Sequence, residues 1–577
     1  MKITPKISVS SDSLYSVSES LTEERQKITF VLPEGDPLAE TFEVNIQFPY
    51  VDCAGVWHPT CSTYRANNAD WSGPVRSMTA RSAPVLSVFS DDSLNRCTIA
   101  LSEVREEVRI FAGIHEEDGM FRIRIQLPLT GKRFTQLYTI SLLIDTRPVS
   151  FSRALADVAG WWEEECGLTP AIVPEAARQP VYSTWYNFHQ QFTAEALEKE
   201  CALAAKAGME TVIVDDGWQT DDVNRGYAYC GDWEVCPSKI PDMRGHVERI
   251  HALGMKYMLW LSVPFMGIHS NNWERFKDKM LYYSESMSAG VLDPRYPDVR
   301  QFLVDTYLNV VESFGLDGLK LDFIDSFVAT KDTPPHREGM DFADVQSALD
   351  CLMTQVSQAL TARRPEFLIE FRQNYIGPNM RKYGNMFRVS DCPNSALSNR
   401  IGTVDLRLLS GSTAVHSDML MWHPKERPEE ISLQVISSIF STVQISTLLE
   451  KLGDRQRKCL DFWLSFMAQN RALLQEAPLE AKEPHNLYPL VEAAGKGHKI
   501  AAVYTQDRVV ECPENCGKLT VLNGAKGNWF YLSLPQDRKC HIKVLDCCGE
   551  LVMEEDKNLS AGVCRFPAAV GGVLELS

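Results

Sequence analysis

At 577 residues the chain exceeds what one hydrophobic core organises, so about two to four domains are expected. Its 44% apolar and 23% charged residues describe a globular protein rather than a disordered or fibrous one. A formal net charge of -18 repels phosphate backbones and argues against nucleic acid as a partner.

The opening segment, MKITPKISVSSDSLYSVSES, lacks the apolar core that a secretory signal needs. No uninterrupted apolar stretch reaches membrane-spanning length, so a cytoplasmic protein without a membrane partner is expected. The 16 cysteines are scattered: Cys512 and Cys516 are too far apart for a CxxC pair, and Cys547 and Cys548 are adjacent. Reduced, buried thiols are expected, with no disulfide, metal or other cofactor.

From Met1 to about Leu155 short alternating runs such as KITFVL, TFEVNIQFPYV, EVRIFAGI, MFRIRIQL and YTISLLI are broken by Gly, Pro, Asp and Ser. That pattern predicts an antiparallel β-sandwich, assigned to residues 1–156. Residues 157–180 read as a short helix and linker, closed by Pro174 and Pro180. From Val181 short buried runs alternate with amphipathic helices. Strands are predicted to start at Val181, Thr211, Lys256, Asp317, Glu366, Met386, Thr413 and Val443, about the eight that close a parallel barrel. One helix starts at the N-cap Thr193 and stops at Gly208; another has Pro297 in its first turn and stops at Gly315. The gap between Arg372 and Met386 is too short for a full helix. Short strands return in HKIAAVYT, KLTVLNG, NWFYLSL, CHIKVLD and GGVLELS, predicting a smaller β-sandwich over residues 486–577. The expected fold is multidomain, with a (β/α)8 TIM barrel over residues 181–485 flanked by N-terminal and C-terminal β-sandwiches.

Active sites of such barrels form where the strands end. Strand two ends in Asp215–Asp216–Gly217–Trp218, strand three carries Trp260, and strand four reads Lys320–Leu321–Asp322 followed by Asp325. Strand five holds Glu370 and Arg372 with Asn374 beyond; strand six ends at Asp391, and strand seven carries His416 and Asp418. Buried runs that end so consistently in carboxylates are poorly explained by stability, because each charge must be desolvated or paired. Paired carboxylates and tryptophans at one mouth suit glycosidic bond cleavage with retention. Asp322 fits the nucleophile, since Lys320 two residues earlier shares its inward face and favours its ionised form. Asp391, from another strand, fits the acid/base, for which a raised pKa is expected.

For a single Asp, a structural role, capping a loop or pairing with Lys320 or Arg372, competes evenly with a functional one; for the whole set it does not. Trp260 alone reads as a packing residue, and Arg372 fits orienting a carboxylate as well as touching sugar. His189, His416 and His423 are not spaced as a ligand pair.

The segments YSTWYNF, VIVDDGWQ, LDPRYPDV, GLKLDFID and FRVSD occur in the order seen in α-galactosidases of glycoside hydrolase family 36, which the region from Val181 to Leu449 resembles. That family shares its clan with families 27 and 31. The resemblance implies that Asp322 is the nucleophile and Asp391 the acid/base. It also implies that Asp215 and Asp216 bind the 4- and 6-hydroxyls, that Lys320 binds a ring hydroxyl, and that Trp185 and Trp260 are aromatic walls. Arg372 and Asn374 stand where the family contacts the sugar near its 2-hydroxyl. Three departures stand out: Leu321 within the K-W-D motif, FRQNYIG in place of a cysteine followed by glycines, and WLSVPFM lacking two glutamates. The expected function is a retaining, exo-acting α-glycosidase on terminal α-galactosides, with an oligosaccharide or other α-glycoside as substrate and a homo-oligomer allowed. Rival readings are an α-N-acetylgalactosaminidase, a raffinose-synthase-like galactosyl transferase and a non-catalytic sugar-binding protein.

Overall fold

The computed structural model describes residues 3–11, 15–22, 24–130, 132–372 and 377–577. Two antiparallel sheets form the N-terminal sandwich. One has five strands in the order Lys6–Ser10, Thr41–Pro49, Met120–Pro128, Val108–His115 and Val75–Ser77. The other has six, running from Ser16–Thr22 to Gly55–Trp57. Strict alternation places Phe42, Val44, Ile46 and Phe48 of one strand, and Phe121, Ile123 and Ile125 of its neighbour, in a common core.

Helix α1 (Phe151–Glu165) begins ahead of the expected linker, because Ser150 caps it by accepting the Arg153 amide. Its buried face carries Phe151, Leu155, Val158 and Trp162. The Trp162 indole donates to the Leu101 carbonyl at 2.8 Å, tying the helix to the sandwich.

Eight parallel strands follow: β1 (Val181–Ser183), β2 (Thr211–Val214), β3 (Lys256–Ser262), β4 (Gly318–Asp322), β5 (Leu368–Arg372), β6 (Met386–Arg388), β7 (Ala414–His416) and β8 (Gln444–Ile445). They pair in sequence order, and β8 returns to β1 with Val181 opposite Gln444. The β7–β8 seam closes through two parallel bridges, His416 with Thr442 and Leu420 with Ile445. This is the TIM-barrel arrangement. The helix Pro297–Phe314 starts with its proline and ends at Gly315, whose φ of 78° is the left-handed stop that a side chain would strain. Between Arg372 and Met386 a 3-10 turn (Pro378–Lys382) replaces a full helix. A three-stranded antiparallel sheet, Phe265–Gly267, Met280–Ser284 and Ala289–Leu292, is inserted after β3.

The C-terminal sandwich packs a seven-stranded sheet, starting with Leu479–Lys482, on a three-stranded one around Val521, Phe530, Leu532 and Ile542. Two of its pairings are parallel, His498–Val503 with Lys518–Asn523 and Val509–Glu511 with Trp529–Leu534. Among the described residues no helix is long and apolar enough to cross a membrane.

All three domains meet at Asp405, on barrel helix α2 (Ala396–Leu409). Arg65 of the N-terminal sandwich donates through Nη2 to both of its oxygens, at 3.0 and 2.8 Å. Trp57 of the same sandwich donates at 2.9 Å, and Tyr488, between the first two strands of the C-terminal sandwich, at 2.6 Å. Arg65 also lies over the Tyr488 ring, 4.4 Å from its centroid. Burial alone would lower the Arg65 pKa, yet Asp405 and Tyr488 hold it above the ordinary arginine value. A buried charge of this kind is tolerable only while its partners stay. Asp405→Ala should therefore cost about 3–5 kcal/mol and Tyr488→Phe about 1 kcal/mol, read from urea unfolding midpoints. Unchanged midpoints would show that the cluster does not bind the domains together.

Candidate active site

The site forms where β2 to β7 end. Strand alternation turns Lys320 and Asp322 of β4 into the barrel, one residue pair apart. The carboxylate of Asp322 is buried and heavily bonded. Its Oδ1 accepts Arg372 Nε at 2.5 Å and its own neighbour's amide, Phe323, at 2.7 Å; Oδ2 accepts the Trp260 indole at 3.1 Å. Phe323 adopts a left-handed φ of 60°, which lets its amide turn back on the preceding carboxylate. Burial would raise the Asp322 pKa, but Arg372 and then Lys320 outweigh it and bring it down to about 2. The expectation of an ionised Asp322 holds, with Arg372 rather than Lys320 as the larger influence.

Lys320 instead grips Asp215, Nζ to Oδ2 at 2.5 Å. Asp215 also accepts the Asp216 amide at 2.9 Å. Asp216 is buried and takes two side-chain amides, Gln190 Nε2 at 2.7 Å and Gln219 Nε2 at 2.8 Å. Even so, burial, reinforced by the charge of Asp215, pushes its pKa up to about 6. The two adjacent aspartates thus differ in partner: an ammonium for one, neutral amides for the other.

Asp391 projects past β6 with its side chain about half exposed, and Arg388 Nη2 donates to it at 2.9 Å. Arg388 is itself buried and also donates to Asp418 at 2.6 Å, with Glu370 Oε1 3.6 Å from its Nε. Tyr186 and the Cys392 amide complete the shell of Asp418, at 2.8 and 2.6 Å. Burial favours the neutral form of Asp391, yet Arg388 and Lys320 prevail and its pKa lies below the ordinary carboxyl value. The raised pKa expected for Asp391 is thus corrected: the general pattern for an acid catalyst took no account of an arginine three residues away.

Trp260 and Arg372 take the packing and carboxylate-orienting positions that the sequence also allowed them. Trp260 is only 1% exposed, packed between Tyr227 and Trp233, so it supports Asp322 through its indole rather than offering a face to solvent. Arg372 is spent on Asp322 and stands 3.8 Å from Asp325, which places it on carboxylates in this state. Trp185 is half-buried at the rim with its ring edge-on to His189. Asn374 lies outside the described residues. His416 donates or accepts through Nε2 to the Ala177 carbonyl at 2.7 Å, and burial lowers its pKa to about 4, so it is a neutral core histidine.

Sequence reasoning missed Arg388, Gln190, Gln219 and Tyr186. For Arg388 a signal existed: an arginine inside the buried run MFRVSD must find a counter-charge. Among the described residues the one cluster with metal-donor spacing is Asp546, Cys547 and Cys548, on the C-terminal sandwich. The barrel mouth has no such grouping among its described residues.

The sign of the Asp216 shift sets a test. With a folded pKa of about 6 against about 3.9 unfolded, its contribution is fully present below pH about 3.9 and lost as pH rises through 6. The difference amounts to about 3 kcal/mol. The stability of the wild type relative to Asp216→Asn should fall between about pH 4 and about pH 7.5, by thermal unfolding. A difference that stays level would mean that Asp216 titrates normally.

Residues 173–395 match the family model described as Melibiase. Alpha-galactosidase AgaA of Geobacillus stearothermophilus is 26% identical over 203 residues, 33% of this chain and 27% of that protein. Alpha-galactosidase Mel36A of Lactobacillus acidophilus is 26% identical over 172 residues, 28% of this chain and 23% of that protein. The aligned segment thus spans about a quarter of the curated relatives. In three dimensions the likeness is wider. The crystal structure of a GH36 alpha-galactosidase AgaA variant with 1-deoxygalactonojirimycin superposes with a TM-score of 0.65 at 15% identity, covering 100% of this chain and 86% of that one. A second AgaA variant, in complex with raffinose, gives 0.64 at 15% identity over the same shares.

Proposed function

We propose, from a Melibiase-type central segment on the fold of GH36 α-galactosidases, that this chain is a retaining, exo-acting α-glycosidase hydrolysing terminal α-galactosides. The observation that carries the reading is the contrast between two carboxylates at one mouth. Asp322 is buried and held ionised by Arg372 and Lys320, while Asp391 is half exposed on the next-but-one strand.

Asp322 attacks the anomeric carbon as Asp391 gives its proton to the departing oxygen. Asp391 then takes a proton from water, which displaces Asp322 and restores the original configuration. Lys320, Asp215 and Asp216 form the donor and acceptor set for hydroxyls at the non-reducing end. A buried carboxylate pair needs such donors, and a closed end makes the enzyme exo-acting. Trp185 supplies an apolar edge at the rim. Because Asp391 is charged in the free protein, substrate that covers it must favour proton uptake by desolvation.

Asp322→Ala should abolish turnover of every α-galactoside while keeping binding. Asp391→Ala should lose about 10²–10⁴-fold on poor leaving groups and far less on activated aryl galactosides. Azide should then restore that variant, giving an α-galactosyl azide, because the anion displaces Asp322 from the β-linked intermediate with a second inversion. An inverted anomer from the wild type, seen by NMR, would refute the mechanism.

Arg388 sets the pH range. Activity needs protonated Asp391, so kcat/KM falls as pH rises through its free-state pKa, which Arg388 depresses. Arg388→Gln should move that alkaline limb to higher pH. A limb that stays in place, or moves the other way, would separate Arg388 from the acid/base.

A further inference from the structure

The hairpin turn between the strands Arg538–Leu545 and Leu551–Leu559 of the C-terminal sandwich carries three metal-donor residues in a row, Asp546, Cys547 and Cys548. In an extended strand adjacent side chains point to opposite faces, so neighbouring cysteines would not share a ligand. Here the turn brings them to one side. One donor atom from each of the three lies within 4.8 Å of the other two, and the sulfurs of Cys547 and Cys548 are 3.9 Å apart. Two thiolates at about 2.3 Å from one tetrahedral zinc ion stand about 3.8 Å apart, whereas a disulfide requires about 2.05 Å.

The turn is pressed against the last barrel helix, Asp454–Arg471. Gly549 has a left-handed φ of 76°, and a Cβ there would run into the Phe462 ring of that helix. Lys458 of the helix pairs with Glu550, and the Cys548 thiol donates to the Arg455 carbonyl at 3.6 Å. On the same helix Cys459 is fully buried, with its thiol facing Cys547 and donating to the Pro428 carbonyl at 3.4 Å. Asp546 is fixed in place as well, because its Oδ1 accepts the amides of Cys548 and Glu550, both at 2.8 Å. Three sulfurs and a carboxylate thus converge on the seam between barrel and sandwich.

We propose that this seam binds one thiophilic divalent cation of the zinc class, held by Asp546, Cys547 and Cys548, with Cys459 as the fourth donor from the barrel side. This replaces, for these residues, the free thiols expected from their spacing. A shell that mixes sulfur with a carboxylate oxygen suits zinc; magnesium and calcium take oxygen alone, and cuprous copper favours sulfur. Each thiol that binds releases its proton to solvent. The Arg455 guanidinium, 4.0 Å from Asp546, lies where it offsets the negative charge of the thiolate shell. The bound ion fastens the C-terminal sandwich to the barrel by coordination bonds.

The test titrates the reduced, chelator-treated full chain with Co²⁺, a spectroscopic substitute for zinc, and then with Zn²⁺. The wild type should take up one equivalent of cobalt, with thiolate-to-cobalt charge-transfer absorption in the near ultraviolet that zinc erases. Zinc should also raise its thermal unfolding midpoint. Cys547→Ser and Cys548→Ser should each weaken binding on the order of a hundredfold or more, and Cys459→Ser should weaken the charge-transfer band. Cys564→Ser, on the other sheet of the sandwich, should behave as the wild type. A wild type without the charge-transfer band would overturn the site whether or not the variants fold. So would a Cys547→Ser variant that binds cobalt as tightly as the wild type.

Discussion

Everything at the barrel mouth depends on cations placed between carboxylates. Lys320 separates Asp215 from Asp322, Arg372 separates Asp322 from Asp325, and Arg388 holds Asp391, Asp418 and Glu370 apart. Arg372 and Arg388 are themselves register partners on adjacent strands, an arrangement that would repel if either lost its acid. The charges therefore stand or fall as a set. Within this mouth Arg372 and Lys320 drive Asp322, against its burial, to a pKa of about 2, while Asp216, faced by neutral amides, is raised to about 6 by burial and the charge of Asp215. The charge states of Asp322 and Asp391 follow from the cations set beside them.

The barrel strands were legible because each is a short buried run that ends abruptly in a polar residue, as in TVIVDD and GLKLD. That ending reports a solvent-facing rim, which periodicity and burial alone cannot mimic. Lys320 and Asp322 were likewise legible, since two-residue spacing in a strand fixes a shared face. Arg388 was not, because its meaning lies in Asp418 and Glu370, contributed by other strands and brought together only by closure. The same gap misled the expectation for Asp391. Trp260 was placed correctly in the barrel, but its 1% exposure depends on Tyr227 and Trp233 in neighbouring loops.

The flanking domains show a similar division. Alternation in TFEVNIQFP specified two-faced strands, and the sandwich follows. Pairing partners are set by contacts far apart in the chain, so the parallel pairs in the C-terminal sandwich carried no local mark. The small sheet inserted after β3 was also silent, because its strands are three to five residues long and too short for a period to show.

Asp405 sits on the helix that follows the loop bearing Asp391, and its hydrogen-bonding partners come from both flanking sandwiches. Exchanging the N-terminal sandwich for that of a relative would have to import an arginine and an indole at matching positions, and trimming the C-terminal sandwich would remove a phenol from the same shell. A domain exchange would therefore keep this shell intact only with an N-terminal donor that supplies the arginine and indole, and a C-terminal donor that supplies the phenol.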